Sequence, residues 1–366
     1  MKVKYSYLEE QFKDHKEIFN RLDKLIQSGD YTLGKPVQEF EQKFAGLIGT
    51  KYAIGVNSGT DALFLSLKAI GVGQGDEVIT VPNTFIATVG AIMATGARPV
   101  FVDVTDEFTI NPELIEHTIT KNTKAIMPVH YAGHPADMSD IMDIAKRYEL
   151  PVIEDSCQAI SAAIDGQCVG TFGLTGGFSL HPLKNLNVWG DGGIIVTNSE
   201  EILDRLLLLR NHGLKNRDEV DTFGYNSRLD SLQAVVGNYL INDMHTITET
   251  RIKWANKLDS ALAGLKNFVT IPKRRPNKRY VYHLYIIIVK KRDELLSYLI
   301  KNEIEAKIHY PMPLHLQPAA AHLGYKKGDF PVTESQCSSM LTLPVHQHLG
   351  EKQIDYMIEK ITKFYR

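Results

Sequence analysis

One lysine stands in a sequence context suited to covalent chemistry. Lys184 follows an apolar segment, 177–180, that predicts a buried strand, and the glycine-rich segment 190–193 comes soon after it. Burial and cationic neighbours lower the pKa of a lysine amine, which a Schiff-base lysine requires. The alternative is an ordinary lysine on a surface loop. The apolar and glycine-rich residues on both sides favour a chemical role.

A carboxylate and an amide stand at the end of another predicted strand. Asp155 ends the apolar segment 151–155, and Gln158 follows closely. A buried carboxylate is costly unless it is paired, and a cationic pyridinium nitrogen would keep it ionised. Gln158 could donate to a phenolate-like oxygen. The alternatives are a helix cap or a structural ion pair for Asp155, and a plain surface glutamine for Gln158.

A segment of small residues between a strand and a helix suits a phosphate. In segment 57–62, Gly59 lets the backbone approach a ligand, and Ser58 or Thr60 can add a hydroxyl donor at the helix N-terminus. An ordinary helix cap is the alternative. The glycine-rich segment 71–76 lies between a helix and a strand, which is the wrong order for a dinucleotide-binding loop. It predicts a turn that closes the helix.

Two further loops carry polar residues. Asn226 and Arg228 stand in a loop that leads into a helix, where they suit an anion, although the loop also has good capping residues. His309 and His315 are six positions apart, but the prolines between them prevent a helical pair and no acidic cluster adjoins them. We predict no metal site, and we predict that 309–315 caps the active site.

The elements that must position these residues alternate between strand and helix. Strands are predicted at 52–57, 77–82, 99–104, 124–130 and 151–155, with helices between them. This pattern indicates βαβ units and a buried parallel sheet, in which ligands collect beyond the carboxyl ends of the strands. Strands at 177–180 and 193–197 follow with only a loop between them. We predict a large α/β domain with an N-terminal helical segment over 1–240, and a small α+β domain over 241–366.

Composition excludes several classes of protein. The 366 residues carry a formal net charge of −2, and the one dense basic segment, 273–279, is more typical of a solvated loop than of a nucleic-acid site. Three cysteines in so long a chain argue against a disulfide framework and favour a reduced, cytoplasmic protein. No apolar run is long enough to predict a membrane span, and residues 1–20 are not typical of a signal peptide.

The chain as a whole resembles the DegT family of sugar aminotransferases, which are fold-type I enzymes that depend on pyridoxal phosphate (PLP). The resemblance covers nearly the whole chain and rests on many motifs in the same order. They lie at 29–34, 56–63, 75–80, 83–88, 99–103, 153–158, 178–184, 190–193, 224–228 and 309–311.

The resemblance implies a role for each matching residue. Lys184 would hold PLP as a Schiff base and move the proton, and Asp155 would pair with the pyridine nitrogen. Gln158 would contact the ring oxygen, and Phe85 would stack on the ring. The phosphate would be held by Ser58, Gly59, Thr60 and Ser179, and by Asn226 from the neighbouring subunit of a homodimer with shared active sites. The substrate contacts are predicted to come from His181, Arg228, His309 and Tyr310.

The sequence therefore predicts an aminotransferase that moves an amino group from L-glutamate to a nucleotide-linked keto sugar. A dTDP-linked 3-keto-6-deoxyhexose is the specific substrate that the resemblance suggests. One alternative is another PLP enzyme, such as a sugar dehydratase or a lyase. Lys184 argues against the branch that dehydrates, because that branch carries histidine at this position. The other alternative is a regulatory protein with the same fold and no catalysis.

Overall fold

The computed structural model describes residues 1–366, and the first 240 of them form the layers that carry the predicted site. The helices of this part are α1 (Leu8–Gln11), α2 (Lys16–Ser28), α3 (Lys35–Ile48), α4 (Gly59–Ala69), α5 (Ile86–Ala94), α6 (Pro112–Ile115), α7 (Met138–Arg147), α8 (Glu200–Leu209) and α9 (Ser231–Leu240). The strands are β1 (Tyr52–Val56), β2 (Glu77–Thr80), β3 (Arg98–Phe101), β4 (Thr123–Ile126), β5 (Ile153–Asp155), β6 (Ala163–Ile164), β7 (Gln167–Cys168), β8 (Thr175–Ser179) and β9 (Gly193–Thr197).

The central sheet is mostly parallel, which confirms the predicted fold class. Four strands pair in the order β1-β9-β8-β5, and three pair in the order β3-β2-β4. Parallel bridges from Ile126 to Val152 and from Val129 to Asp155 join the two groups. Only β9 is antiparallel to its neighbours. Every residue of β8 and β9 is buried, as expected for strands covered by helices on both faces.

Local sequence explains the helices that flank this sheet. In α4, Ser58 is the N-cap residue, and its hydroxyl accepts a hydrogen bond from the backbone N–H of Asp61 at 3.1 Å. In α7, Met138, Ile141 and Ile144 recur at helical spacing and are buried. Both helices lie where the sequence predicts helices between the strands.

The rest of the chain forms a smaller sheet with helices around it. Its helices are α10 (Met244–Leu262), α11 (Arg292–Lys301), α12 (Pro331–Ser339) and α13 (Glu351–Tyr365). Its strands are β10 (Val269–Thr270), β12 (Tyr285–Val289) and β13 (Met340–Leu343), with β12 in the middle. Strand β11 (Lys278–Arg279), which lies between β10 and β12 in the chain, pairs instead with β6 in a sheet of the order β11-β6-β7. No helix of the structure is long and apolar enough to cross a membrane.

The predicted division after residue 240 stays a prediction, and the packing shows two segments that cross it. Val3 is buried in the same apolar cluster as Trp254, Leu299 and Met357. In the other direction, Leu314 packs against residues of the large sheet layer, in a cluster that includes Val89 and Phe101. The N-terminal segment around Val3 and the internal segment around Leu314 therefore join the two regions.

Carboxylates of the large region pair with the basic segment 273–279, so the prediction of a solvated loop is wrong for its buried residue Lys278. Lys278, whose side chain is 2% exposed, lies 3.3 Å from Glu107 and 2.6 Å from Asp137. Arg275 contacts the same two carboxylates, at 2.6 Å and 3.0 Å. A buried lysine needs such partners. These two cations therefore hold β11 against the large sheet layer.

Candidate active site

Most of the predicted site residues meet in one cavity at the carboxyl ends of the central strands. The cavity has a volume of about 330 Å³. Eleven of its lining residues belong to the predicted set: Ser58, Gly59, Thr60, Phe85, Asp155, Gln158, Ser179, His181, Lys184, His309 and Tyr310. A wider, more open depression of about 640 Å³, near β6 and β11, contains none of them. The first cavity is therefore the candidate active site.

The side chain of Asp155 accepts two hydrogen bonds and has no cation paired to it. It is 5% exposed, its Oδ1 accepts from the backbone N–H of Cys157 at 3.1 Å, and its Oδ2 accepts from the hydroxyl of Thr88 at 2.7 Å. No lysine, arginine or histidine forms a salt bridge with it. A buried carboxylate with hydrogen bonds but no counter-ion is electrostatically suited to a cationic ligand atom.

The strand that carries Asp155 is fixed from its other face. The neighbouring Glu154 is fully buried and accepts hydrogen bonds from the backbone N–H groups of Gly170, Phe172 and Gly173, at 2.7 to 2.8 Å. The Nε2 of His130 lies 2.9 Å from the same carboxylate. These four partners satisfy the hydrogen-bonding capacity of the buried Glu154 side chain, which would otherwise be costly to bury. They also hold the end of β5 in place.

Lys184 lies on the loop between β8 and β9 and faces the same cavity. Burial lowers the pKa of its amine, while the nearby Cys157 and Asp155 partly oppose the shift. A lowered pKa increases the fraction of neutral amine, which is the nucleophilic form. Lys184 therefore lines the cavity, and its chemical role stays a prediction.

Close backbone approach shapes the end of the cavity at the start of α4. A Cβ atom on Gly59 would lie 2.6 Å from the Cβ of Ser179 and 3.0 Å from the sulfur of Cys157. A side chain at Gly193 would likewise collide with the carbonyl of Ser58. Both glycines therefore let β8, β9 and α4 meet. The hydroxyl of Ser58 accepts the cap hydrogen bond and keeps its own proton, so the free N–H groups of α4 and the hydroxyls of Ser58, Thr60 and Ser179 are the donors available to an anion.

Gln158 and Phe85 lie on different walls. The Oε1 of Gln158 accepts from the backbone N–H of Ala132 at 2.7 Å, which leaves the amide NH₂ as a donor. Phe85 is 50% exposed, and its ring centroid lies 6.0 Å from that of Tyr310. An exposed aromatic ring beside a cavity can stack on a flat ligand.

Three histidines line the cavity, and burial lowers the pKa of each. The pKa of His309 falls to about 4, with Lys307 and Lys184 adding to the effect. The pKa of His283 lies well below its ordinary value, and that of His181 is lowered too. All three are therefore neutral near pH 7 and can donate or accept a hydrogen bond.

Several residues of the cavity were missed by the sequence analysis. Thr88 stands three positions after Phe85 on α5, a spacing that could have revealed it. His283 precedes β12, and its Nδ1 is buried without a hydrogen-bond partner. Tyr5 comes from the N-terminal segment. No local pattern distinguishes His283 or Tyr5 from structural residues.

Asn226 and Arg228 do not line the cavity of their own chain. Asn226 is exposed and forms a backbone bridge with Asn211, whose side-chain oxygen accepts from Arg228 at 3.1 Å. Phe223, on the same loop, is 96% exposed. The predicted contact of Asn226 with a neighbouring subunit is compatible with this position, and it stays a prediction.

Comparison with known proteins assigns the chain to a family. Residues 13–362 match the family model described as the DegT/DnrJ/EryC1/StrS aminotransferase family. The chain belongs to this family. A crystal structure of Streptomyces venezuelae DesV in complex with a ketimine intermediate superposes with a TM-score of 0.97 and is 38% identical, covering 100% of this chain and 99% of that one.

Two curated relatives carry different names. A "pleiotropic regulatory protein" of Geobacillus stearothermophilus is 42% identical, covering 100% of this chain and 99% of the relative. The "dTDP-3-amino-3,4,6-trideoxy-alpha-D-glucose transaminase" of Streptomyces venezuelae is 39% identical, covering 93% of this chain and 90% of the relative. This DegT-family chain is a PLP-dependent aminotransferase, as predicted.

The residues of the cavity fit PLP in their charges and hydrogen-bonding groups. The unpaired carboxylate of Asp155 suits the ring nitrogen, the N-terminus of α4 suits the phosphate, and Lys184 lines the same cavity. PLP, when bound, supplies the electron sink that stabilises negative charge at the reacting carbon.

Proposed function

We propose that this enzyme transfers an amino group from L-glutamate to a nucleotide-linked keto sugar, with PLP bound through Lys184. The observation that carries the proposal is the meeting of Lys184 and an unpaired Asp155 in one cavity. Lys184 would hold the cofactor and then move the proton at the substrate carbon. Asp155 would keep the ring nitrogen protonated, and Gln158 would donate to the ring oxygen.

For the acceptor, we propose a dTDP-linked 3-keto-6-deoxyhexose. The Streptomyces relative is named for a dTDP-3-amino sugar, and a 40% identical relative from Aneurinibacillus thermoaerophilus is named for another. The sugar would be contacted by polar groups of the cavity lining, namely the neutral imidazoles of His181 and His309 and the hydroxyl of Tyr310. A UDP-linked sugar is the main competitor, because another relative bears such a name.

The first half of the reaction is tested by spectroscopy. Wild type with PLP should show a band at about 410–430 nm, typical of a Schiff base to a lysine, and L-glutamate should bleach it. Lys184→Ala should lack the band, whereas Lys121→Ala, which removes an exposed lysine outside the cavity, should keep it. A band that survives Lys184→Ala would refute the assignment of the lysine.

The acceptor is tested by product analysis. The glutamate-treated enzyme is offered dTDP- and UDP-linked 3-keto sugars, and mass spectrometry detects the amino sugar. Release of ammonia or water without 2-oxoglutarate would instead indicate a lyase or a dehydratase. A wild-type protein that binds PLP but converts no donor would favour the regulatory alternative, which the name of the Geobacillus relative brings to mind.

We further propose a homodimer in which Asn226 completes the partner's phosphate site. Its support is the exposed position of Asn226 outside its own cavity. Lys184→Ala and Asn226→Ala chains, each inactive alone, should recover activity when they are mixed under dissociating conditions. Random pairing restores about one quarter of the wild-type activity if Asn226 acts across the interface. No recovery would place Asn226 in its own site or outside catalysis. Cytoplasmic location stays a prediction.

A further inference from the structure

The N-terminal segment 3–7 runs along the smaller sheet region and into the active-site cavity. The backbone N–H of Val3 donates to the carbonyl of Glu303 at 2.9 Å, and the N–H of Glu305 donates back to Val3 at 3.0 Å. The Nε2 of His346 lies 3.1 Å from the carbonyl of Lys4. Tyr5 and Tyr7 follow in the chain, and Tyr5 lines the cavity. The segment is therefore anchored before it reaches the site.

Tyr7 contacts the loop that carries Lys184. Its hydroxyl donates to the backbone carbonyl of Lys184 at 2.9 Å and lies 3.3 Å from that of Leu183. No backbone N–H donates to either carbonyl. Tyr7 is 5% exposed, and burial raises the pKa of its phenol, which Arg251 partly opposes. The phenol therefore stays protonated and remains a donor near neutral pH.

A buried arginine without an acidic partner fixes the ring of Tyr7. Arg251 is 1% exposed, and its guanidinium carbon lies 5.2 Å from the centre of the Tyr7 ring. Its Nη1 donates to the carbonyls of Tyr282 and Val345, at 3.1 Å and 3.0 Å, and its Nε donates to Gln347 at 3.2 Å. It forms no salt bridge. A desolvated cation over an aromatic face is an attractive contact, so the ring compensates part of the cost of burying this charge.

We propose that Tyr7 is a positioning residue for Lys184, and that Arg251 holds the ring of Tyr7 in the orientation this requires. The proposal rests on the proposed role of Lys184. Chain connectivity does not restrain this loop closely, because Lys184 lies five residues beyond the end of β8 and nine before the start of β9. The Tyr7 hydroxyl therefore restrains the backbone at the residue whose side chain must reach the cofactor.

The test compares two tyrosine variants that each lose one hydroxyl. Tyr7→Phe keeps the ring under Arg251 and removes only the donor to Lys184. Tyr356→Phe removes a hydroxyl that donates to the carbonyl of Asn302 at 3.3 Å, in the C-terminal region, and serves as the matched control. PLP is added to each apo-protein, and the rate at which the lysine band appears is measured by stopped-flow absorbance.

We expect Tyr7→Phe to form the band about fivefold to tenfold more slowly than wild type, the effect of losing one net hydrogen bond. It should also lower kcat while leaving the KM for L-glutamate unchanged. Tyr356→Phe should match wild type in both measurements, even if it melts at a lower temperature. A merely structural role of Tyr7 would lower the melting temperature and leave the rate unchanged, and that result would overturn the proposal.

A second variant covers the case in which Tyr7→Phe does not fold. Arg251→Lys keeps the charge but loses the planar group over the Tyr7 ring and the paired bonds to two carbonyls. It should slow the appearance of the band in the same way, and an unchanged rate would refute the role of Arg251. If wild type itself shows no band that depends on Lys184, the proposed function fails, and this outcome is distinct from failure of the positioning role.

Discussion

Replacing Thr88 by valine should separate the orientation of Asp155 from its charge. The hydroxyl of Thr88 donates to the Oδ2 of Asp155 at 2.7 Å, so the hydroxyl of Thr84, 2.8 Å away, must donate to Thr88. Valine has nearly the same shape, so it leaves no cavity. It removes a hydrogen bond to a charged group, which contributes about 1.5–3 kcal/mol, and it leaves the Thr84 hydroxyl without an acceptor.

The expected result is a slower reaction in a folded protein. With only the backbone N–H of Cys157 left to hold it, the carboxylate of Asp155 can rotate away from the ring nitrogen. We expect the glutamate half-reaction to slow by about tenfold or more, since ~1.4 kcal/mol corresponds to a factor of ten in rate. The free energy of unfolding of the apo-protein should fall by about 1.5–3 kcal/mol.

The assay follows the bleaching of the PLP band by glutamate in single-turnover experiments. Thr88→Ser is the matched control, because it keeps the hydroxyl and loses only the methyl group. It should react at close to the wild-type rate. Equal rates for the valine and serine variants would show that this hydrogen bond does not orient Asp155, and the reasoning would be refuted.

Three further changes test the surroundings of the site. His309 and His346 have folded-state pKa values of about 4, below the ordinary value of ~6.5. Their contribution to the free energy of unfolding is therefore present above about pH 6.5 and is lost as the pH falls towards about 4. Denaturant titrations should show this loss, and His309→Gln or His346→Gln should lessen it. Gly59→Ala should weaken PLP binding and destabilise the protein by about 1–3 kcal/mol. The control Gly46→Ala, on an open helical surface, should stabilise the protein by about 0.5–1 kcal/mol. Calorimetry that ranks the stabilities of the two variants the other way would contradict the packing argument. Glu107→Gln weakens the contacts to Lys278 and Arg275, although Asp137 stays beside both cations. It should lower the free energy of unfolding by about 1.5–3 kcal/mol, and a loss below about 0.5 kcal/mol in chemical denaturation would count against that role.

Local patterns located candidate residues of the site, and the resemblance to a family implied their roles. Asp155 ends a short apolar strand and Lys184 follows another, and strands of a parallel sheet end at the same edge. The position of Gly59 between β1 and α4 predicted a close approach to a ligand, and the structure shows a close approach to Ser179 and Cys157. These inferences needed only the spacing of apolar residues and the residue that follows each strand, because both are properties of neighbouring positions in the chain.

The contacts that complete the site could not be read from neighbouring positions. The hydroxyl of Tyr7 meets the carbonyl of Lys184 across 177 positions of sequence, and Arg251 reaches Val345 across 94. No spacing in the sequence distinguishes Tyr7 or Arg251 from the structural residues around it. The basic segment 273–279 likewise predicts a solvated loop, because the carboxylates that pair with the buried Lys278 come from distant loops.

The sequence by itself determined the chemical groups and the mostly parallel sheet, because hydrophobic periodicity and residue type are local. The tertiary structure decided which side chains surround those groups, which histidines are neutral and which donors hold Asp155 and the Lys184 loop. Those properties depend on burial and on hydrogen-bond geometry, and both arise only when distant segments pack together.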